Sequence, residues 1–530
     1  MKLNQKNIPG IFNDVIGPVM RGPSSSHTAA AWRAAKTCMD ILNEPLKKAV
    51  IDFDKDGAWA SNYKEQGTSL GIEGGLLGLE MTDDRMKNTE LIANELGISI
   101  HYEINSFKTN HVNTFRLLLD GINGKNIQVV AISIGGGSFK IQNIDGFEVK
   151  ICGDFYEVFL FNSSKEIGLE ELKSMFPQSK SILESFSSDR RLINMKFSKE
   201  VSNQTIEKLN SIVSFDELII TKPVLPIIAG NETELPFTSV SSLLEFAEKE
   251  NLDLGALGLI YERCQSGLED SAVINRMKNL VSIIESSIKT GLEGTTYKDR
   301  ILPQQSHLIN SAKKRNKILQ NSIINQIIAN VSAIMESKSA MEVVVANPTA
   351  GSCGVVGGVL RAVADDINAT QDELIKAYFA TGIIGVYFAM GPGFSAEEHG
   401  CQVECGASAG MAAAGIVQLF GGTARQAVDA ASMAIQNMIG LVCDPIADRV
   451  EAPCLGKNVS AAVNALSSAT MSCAGYNALI PLNEVLKTVS SVSSQMPTCV
   501  KCTGKGGLAT TNTACSIKEK LALKNTIVTV

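Results

Sequence analysis

Three cysteines in the C-terminal half, Cys401, Cys443 and Cys454, carry the most chemistry for their spacing. Each lies near a turn former, Gly400, Pro445 or Pro453, that can aim a thiol out of a helix end. They are too far apart for the close ligand pairs of a zinc knuckle. They suit thiolates converging from separate helix ends, and three rather than four would leave one iron of a cubane cluster open to a ligand. On spacing alone, buried structural thiols are the plainer reading, since free cysteine packs readily in cores.

Two further stretches could hold a small anion or an amino acid. In Arg21-Gly22-Pro23-Ser24-Ser25-Ser26-His27-Thr28, three consecutive serines precede a segment of helical character, so hydroxyls and free helix N–H groups meet at one turn. Without a ligand the same residues would make an ordinary Ser-rich cap. In Asn347-Pro348-Thr349-Ala350-Gly351-Ser352-Cys353, the helical pattern breaks just before an apolar helix, and Asn, Thr and Ser side chains gather there. Cys499 and Cys502 form a lone C-x-x-C pair beside a Gly-rich turn.

The elements that must position these residues fall into three parts. Residues 1–150 read as α/β, with strand-like runs at 49–53, 98–104, 114–119 and 128–134, the last ended by Gly135-Gly136-Gly137, which turns the chain. Residues 151–228 alternate strand and helix as β-α-β-β-α-β, a ferredoxin-like order with helical stretches at 165–175 and 202–212 and the weakest strand at 181–187. The Pro-bearing run 222–237 reads as a linker. From 238 to 530 the pattern is almost wholly helical, with a capping box at Thr370 and Glu373, a cap at Thr423 before a helix to 439, and a helix from Asn458 to about 478. The fold class is α+β and multidomain.

Composition narrows the class. The chain has 530 residues, 45% of them hydrophobic, and a net charge of −7 without charge runs, so neither nucleic acid nor an anionic membrane is an expected partner. The N-terminus has no apolar signal-peptide core, and the uncharged run 377–396 is interrupted by Gly and Pro, so it reads as a buried helix rather than a span. Twelve cysteines in a chain of this kind imply a reducing cytoplasm.

Taken together, the motifs resemble the iron-sulfur-dependent L-serine dehydratases, with both subunits of the split form in one chain. The resemblance is carried by Gly22 to Thr28, Ile132 to Gly137, Gly291 to Thr295, Asn347 to Ser352, Gly400-Cys401-Gln402-Val403-Glu404, Ser408 to Gly415, Gly440 to Pro445, and Pro453-Cys454. It implies a [4Fe–4S] cluster on Cys401, Cys443 and Cys454. It further implies an ACT-like middle unit and a substrate held by Ser24, Ser25, Ser26, Thr28, Asn347, Thr349, Gly351 and Ser352. His27 and His111 are then the candidate bases, and the expected reaction converts L-serine to pyruvate and ammonia. No lysine stands out as a Schiff-base residue, so no pyridoxal phosphate is expected. An ACT-like unit makes a homodimer the expected assembly.

Two departures bear on substrate. Glu65-Gln66-Gly67-Thr68-Ser69 stands where many members carry Gly-His-Gly-Thr-Asp, and Gln66 cannot act as a base. The usual Gly-Gly-Asp after Thr295 is replaced by 297–307. Both point to a different 3-hydroxy or 3-substituted amino acid as an alternative substrate, with Arg21 and His399 as readers of an extra charge. A non-catalytic amino-acid sensor is a third reading. Cys499, Cys502 and Cys515 are each open as a further thiol near the cluster.

Overall fold

The computed structural model describes residues 8–527 except 108, 164–166, 230–233, 298 and 321–322. Parts of the predicted helix at 165–175, of the linker at 222–237 and of the departure at 297–307 therefore lie outside the described residues.

Alternating apolar residues build a six-stranded sheet in the N-terminal part. Its strand order is Ser99–Asn105, Leu46–Asp54, Thr114–Gly121, Asn126–Gly135, Ser138–Ile144, Phe147–Ile151. Only the Leu46–Asp54 and Ser99–Asn105 pair is parallel; the other four pairings are antiparallel. This corrects the α/β expectation, because a mostly antiparallel sheet needs few helical crossovers. The expected turn at Gly135-Gly136-Gly137 is a hairpin: all three glycines have positive φ (92°, 61°, 93°), which lets the chain reverse and continue into two more strands. The helix Ala30–Leu42 buries its alanine-rich face against this sheet, with Ala31, Ala34, Ala35 and Cys38 at 0% exposure.

The next part runs strand, helix, strand, strand, helix, strand, with sheet order Glu217–Thr221, Tyr156–Phe161, Arg190–Phe197, Ser179–Ser187, all antiparallel. Its helices are Leu169–Met175 and Asn203–Ile212, and Ser202 caps the second.

Helices make up nearly all of the remainder. Thr370 and Glu373 form the expected capping box, and Thr423 forms one with Gln426. The helix expected from Asn458 begins four residues earlier, at Cys454. Small residues allow close approach: in Cys405–Leu419 every residue from Cys405 to Val417 is buried. One helix, Gln371–Met390, is long and apolar enough to cross a membrane, but 78% of its most apolar window is buried inside the protein. The segment Ile11 to Ile16 is locked into this helical core, where Ile11, Phe12, Val15 and Ile16 are at most 1% exposed. Strand Val19–Met20 pairs with Val344–Val345 just before the Asn347 loop. That pairing sets the two ligand-type loops side by side.

Candidate active site

The thiols converge. Cys401 opens a short turn after Gly400, Cys454 is the first residue of its helix, and Cys443 lies on an extended link clamped by Cys443 N–H to Val500 O (2.8 Å) and Cys502 N–H to Cys443 O (2.9 Å). The sulfurs of Cys401 and Cys443 and a carboxylate oxygen of Glu404 all lie within 4.8 Å of one another. Cys454 stands outside that closest trio but in the same buried space, electrostatically coupled to Cys401. All three cysteines are at most 6% exposed.

Of the three further thiols left open by the sequence, only Cys502 joins the group. It is buried and in hydrogen-bond contact with Cys443, whereas Cys499 and Cys515 are exposed. Gln66 approaches Cys502 from the N-terminal sheet part, its Nε2 at 3.6 Å from the sulfur.

Electrostatics suit a metal centre. Contact with Cys401 and Cys502, together with burial, holds the Cys443 thiol well above its usual range, and burial does the same for Cys454. Two cations flank the set. Lys457 Nζ donates to Val442 O (2.7 Å) and Asp444 (2.5 Å), and the fully buried Lys338 donates to Val450 O. Thiolates formed on metal binding would be compensated by these ammonium groups. The donor set therefore fits a thiolate-bound metal centre.

Both candidate ligand loops open onto the thiols. Ser25 Oγ accepts from Ala350 N–H at 3.2 Å, joining the loops directly. Thr349 Oγ1 caps Ser352 N–H (3.2 Å) and donates to Glu404 (2.8 Å), while Cys401 Sγ lies 3.7 Å from the other oxygen of Glu404. Burial pushes the Glu404 carboxyl up to about 7. The Asn347 side chain is fully buried, with neither its oxygen nor its nitrogen hydrogen-bonded. Such an orphan amide marks a place for a polar ligand. Gly351 lies close under Glu404: a Cβ there would be 2.8 Å from Oε1, so the carboxylate would have to shift. Ser26 O accepts from Ser133 Oγ (2.8 Å), and Thr28 Oγ1 donates to Gln66 O (3.4 Å). Gly22, with φ of 121°, closes over Thr28, where a Cβ would sit 2.7 Å from Oγ1.

The histidines sit on consecutive glutamates of the short helix Ala396–His399. His27 Nδ1 lies 3.0 Å from Ser24 Oγ and 3.4 Å from Glu397, and its ring leans on Trp59 at 5.2 Å. Burial depresses His27 to about 3 and raises Glu397, so the imidazole is neutral at working pH. His27 Nε2 makes no well-formed hydrogen bond, with Asn62 beside it. His111 faces Glu398 at 3.7 Å, and its Nδ1 accepts Asn113 N–H at 3.2 Å.

Sequence reasoning missed Glu397, Glu404, Lys338 and Lys457 as members of this site. Glu404 ends the quoted Gly400–Glu404 motif, which is the one signal that pointed to it. Arg21 corrects an expectation: it is engaged by Thr82 O, Met341 O, Glu342 and Asp84, away from the thiols. His399 is half-buried, and its Nδ1 has no partner.

Buried thiols converging beside two hydroxyl- and amide-bearing loops are compatible with a metal centre, and comparison with known proteins gives the family. A profile described as serine dehydratase alpha chain matches residues 172–509. The chain is 33% identical over 285 residues to the probable L-serine dehydratase alpha chain of Bacillus subtilis, covering 54% of this chain and 95% of that one. It is 37% identical over 199 residues to the Latilactobacillus sakei counterpart, covering 38% and 95%. It is 30% identical over 292 residues to L-serine dehydratase 1 of Escherichia coli, covering 53% and 63%. The chain belongs to the serine dehydratase alpha chain family.

Proposed function

We infer that this protein is a lyase that eliminates water from L-serine and releases pyruvate and ammonia. The observation that carries the reading is the chain of contacts from Thr349 through Glu404 to Cys401, which ties the substrate-type loop to the thiols. A [4Fe–4S] cluster on Cys401, Cys443 and Cys454 would supply an electrophilic iron to the departing hydroxyl, sparing the protein a strong acid.

The remaining work falls to side chains. Ser24, Ser25, Ser26 and Thr28 present hydroxyls to the substrate carboxylate, and Asn347, Thr349, Gly351 and Ser352 present the other loop. His27 is the proton acceptor for carbon 2: it is neutral, with Nδ1 oriented by Ser24 and Glu397 and Nε2 uncommitted. His111 has its Nδ1 lone pair occupied by Asn113, so it orients Glu398 and the loop around it. Removal of the proton at carbon 2 and loss of hydroxide from carbon 3 leave an enamine, which tautomerises and hydrolyses to the 2-oxo acid and ammonia.

Residues 151–228 are read as an ACT-like unit between domains at 1–150 and 238–530, with a homodimer as the resulting assembly. Anaerobic loading with iron and sulfide, followed by assay of pyruvate and ammonia from L-serine, tests the function. Loss of both products on Cys401→Ala is expected; full activity in that variant would remove Cys401 from the ligand set.

A further inference from the structure

The two segments in which the sequence departs from the family pattern meet in one cavity. Its volume is about 470 Å³, and Glu65 and Gly67 line it from one departure with Lys64 just before it, Tyr297 from the other, and Arg449 and Glu451 from the loop that leads to Cys454. Three stretches that line the cavity continue in sequence into residues of the reaction site. Gly67 follows Gln66, which touches Cys502; Pro23 in the wall precedes Ser24, which touches His27; Glu451 lies three residues before Cys454. L-serine carries only a hydroxymethyl group beyond carbon 2, and a space of this size holds far more.

The lining chemistry selects what fills it. Glu451 Oε1 accepts from Tyr297 Oη (2.6 Å), Ile301 N–H (3.0 Å) and Leu302 N–H (2.7 Å), which fixes that carboxylate in the wall. Arg449 is not matched in this way: Nη1 donates to Asp299 O at 3.2 Å, and the buried Nε has no acceptor. Lys64 is exposed and lies 5.9 Å over the Tyr63 ring. Glu65 stands exposed in the same lining. Lys64, Lys87 and Arg449 outnumber the carboxylates of Glu65 and Glu451 in that lining, with Lys87 held by Asp84 and Glu342.

We propose that this cavity is a side-chain subsite for a 3-hydroxy amino acid whose carbon 3 bears an acidic group, received by Arg449 and Lys64. The proposal rests on the elimination reading above and names its substrate class. The proton leaves carbon 2, hydroxide leaves carbon 3, and together they form water. The enamine then tautomerises, and one water hydrolyses it to ammonia and a 2-oxo diacid, so no oxidant or reductant is needed and the acidic group is retained.

The test uses iron-loaded holoenzyme with L-serine and 3-hydroxy-L-aspartate, and calorimetric binding of succinate as an unreactive dicarboxylate. The expected result is a kcat/KM at least about tenfold higher for the diacid, and a fall in that ratio of about tenfold or more in Arg449→Met and in Lys64→Met, with weaker succinate binding in both. Lys64 is exposed, so its variant keeps the test valid if Arg449→Met does not fold. Serine turnover with a ratio unmoved in both variants would overturn the subsite and leave the elimination reading standing. If no amino acid is turned over, the elimination reading fails and succinate decides: binding lost in the variants upholds the subsite, and absent or unaltered binding overturns it.

Discussion

The amide of Gln66 rests 3.6 Å from the sulfur of Cys502, a contact that spans 436 positions of sequence and joins the N-terminal sheet part to the thiol group. Cys502 touches Cys443 in turn. Replacing Cys502 by Ser should therefore change the electron paramagnetic resonance spectrum of the reduced, loaded protein, while Cys499→Ser and Cys515→Ser, both at exposed thiols, should leave it unaltered. A Cys502→Ser spectrum identical to the parent would place this thiol out of contact with the metal centre.

The orphaned side chain of Asn347 and the hydroxyl of Thr349 predict separable losses. Asn347→Ala removes only unpaired buried groups, so thermal stability should hold or rise while KM increases about tenfold. Thr349→Val loses both the Ser352 cap and the Glu404 bond, so it should also lower stability by about 1–2 kcal/mol in denaturant titration.

Glu404 and His27 make the metal-free protein sensitive to pH in opposite directions. Glu404 has its pKa raised from 4.5 to about 7, so the folded state binds more protons across that window and stability falls as pH rises through it. His27 is lowered from 6.5 to about 3, so the unfolded chain binds more protons there and stability falls as pH drops through that range. Glu404→Gln should raise the melting temperature of metal-free protein at pH 8 by an amount on the order of 2 °C, with the gain vanishing near pH 4, as read by calorimetry.

At Gly22 the backbone lies at φ of 121° and a Cβ would press on Thr28. Gly22→Ala should lower stability by about 1–3 kcal/mol and reduce kcat/KM together with it, because the same loop carries Ser24 to His27. Unchanged melting and unchanged kinetics would show that the loop relaxes freely.

Much of this arrangement is legible locally. The Thr370 and Thr423 caps follow from hydroxyl and amide chemistry at short range, and the thiols and both loops are marked by residue type. What escapes is set by long-range pairing. Glu397 gains meaning only through His27, far away in sequence, and Lys338 looks like any helical lysine until Val450 and Cys454 close over it. The strands Ser138–Ile144 and Phe147–Ile151 are missed although the three glycines mark the turn that leads into them. The convergence of Lys64 and Tyr297 on one cavity has no local signature at all.

The most direct measurement is the yield of 2-oxo acid and ammonia from L-serine by anaerobically loaded protein carrying about four irons per chain. The account predicts pyruvate and ammonia in equal amounts, both lost when Cys401, Cys443 or Cys454 is replaced. Fully loaded protein that releases neither product from L-serine or any other 3-hydroxy amino acid would contradict it.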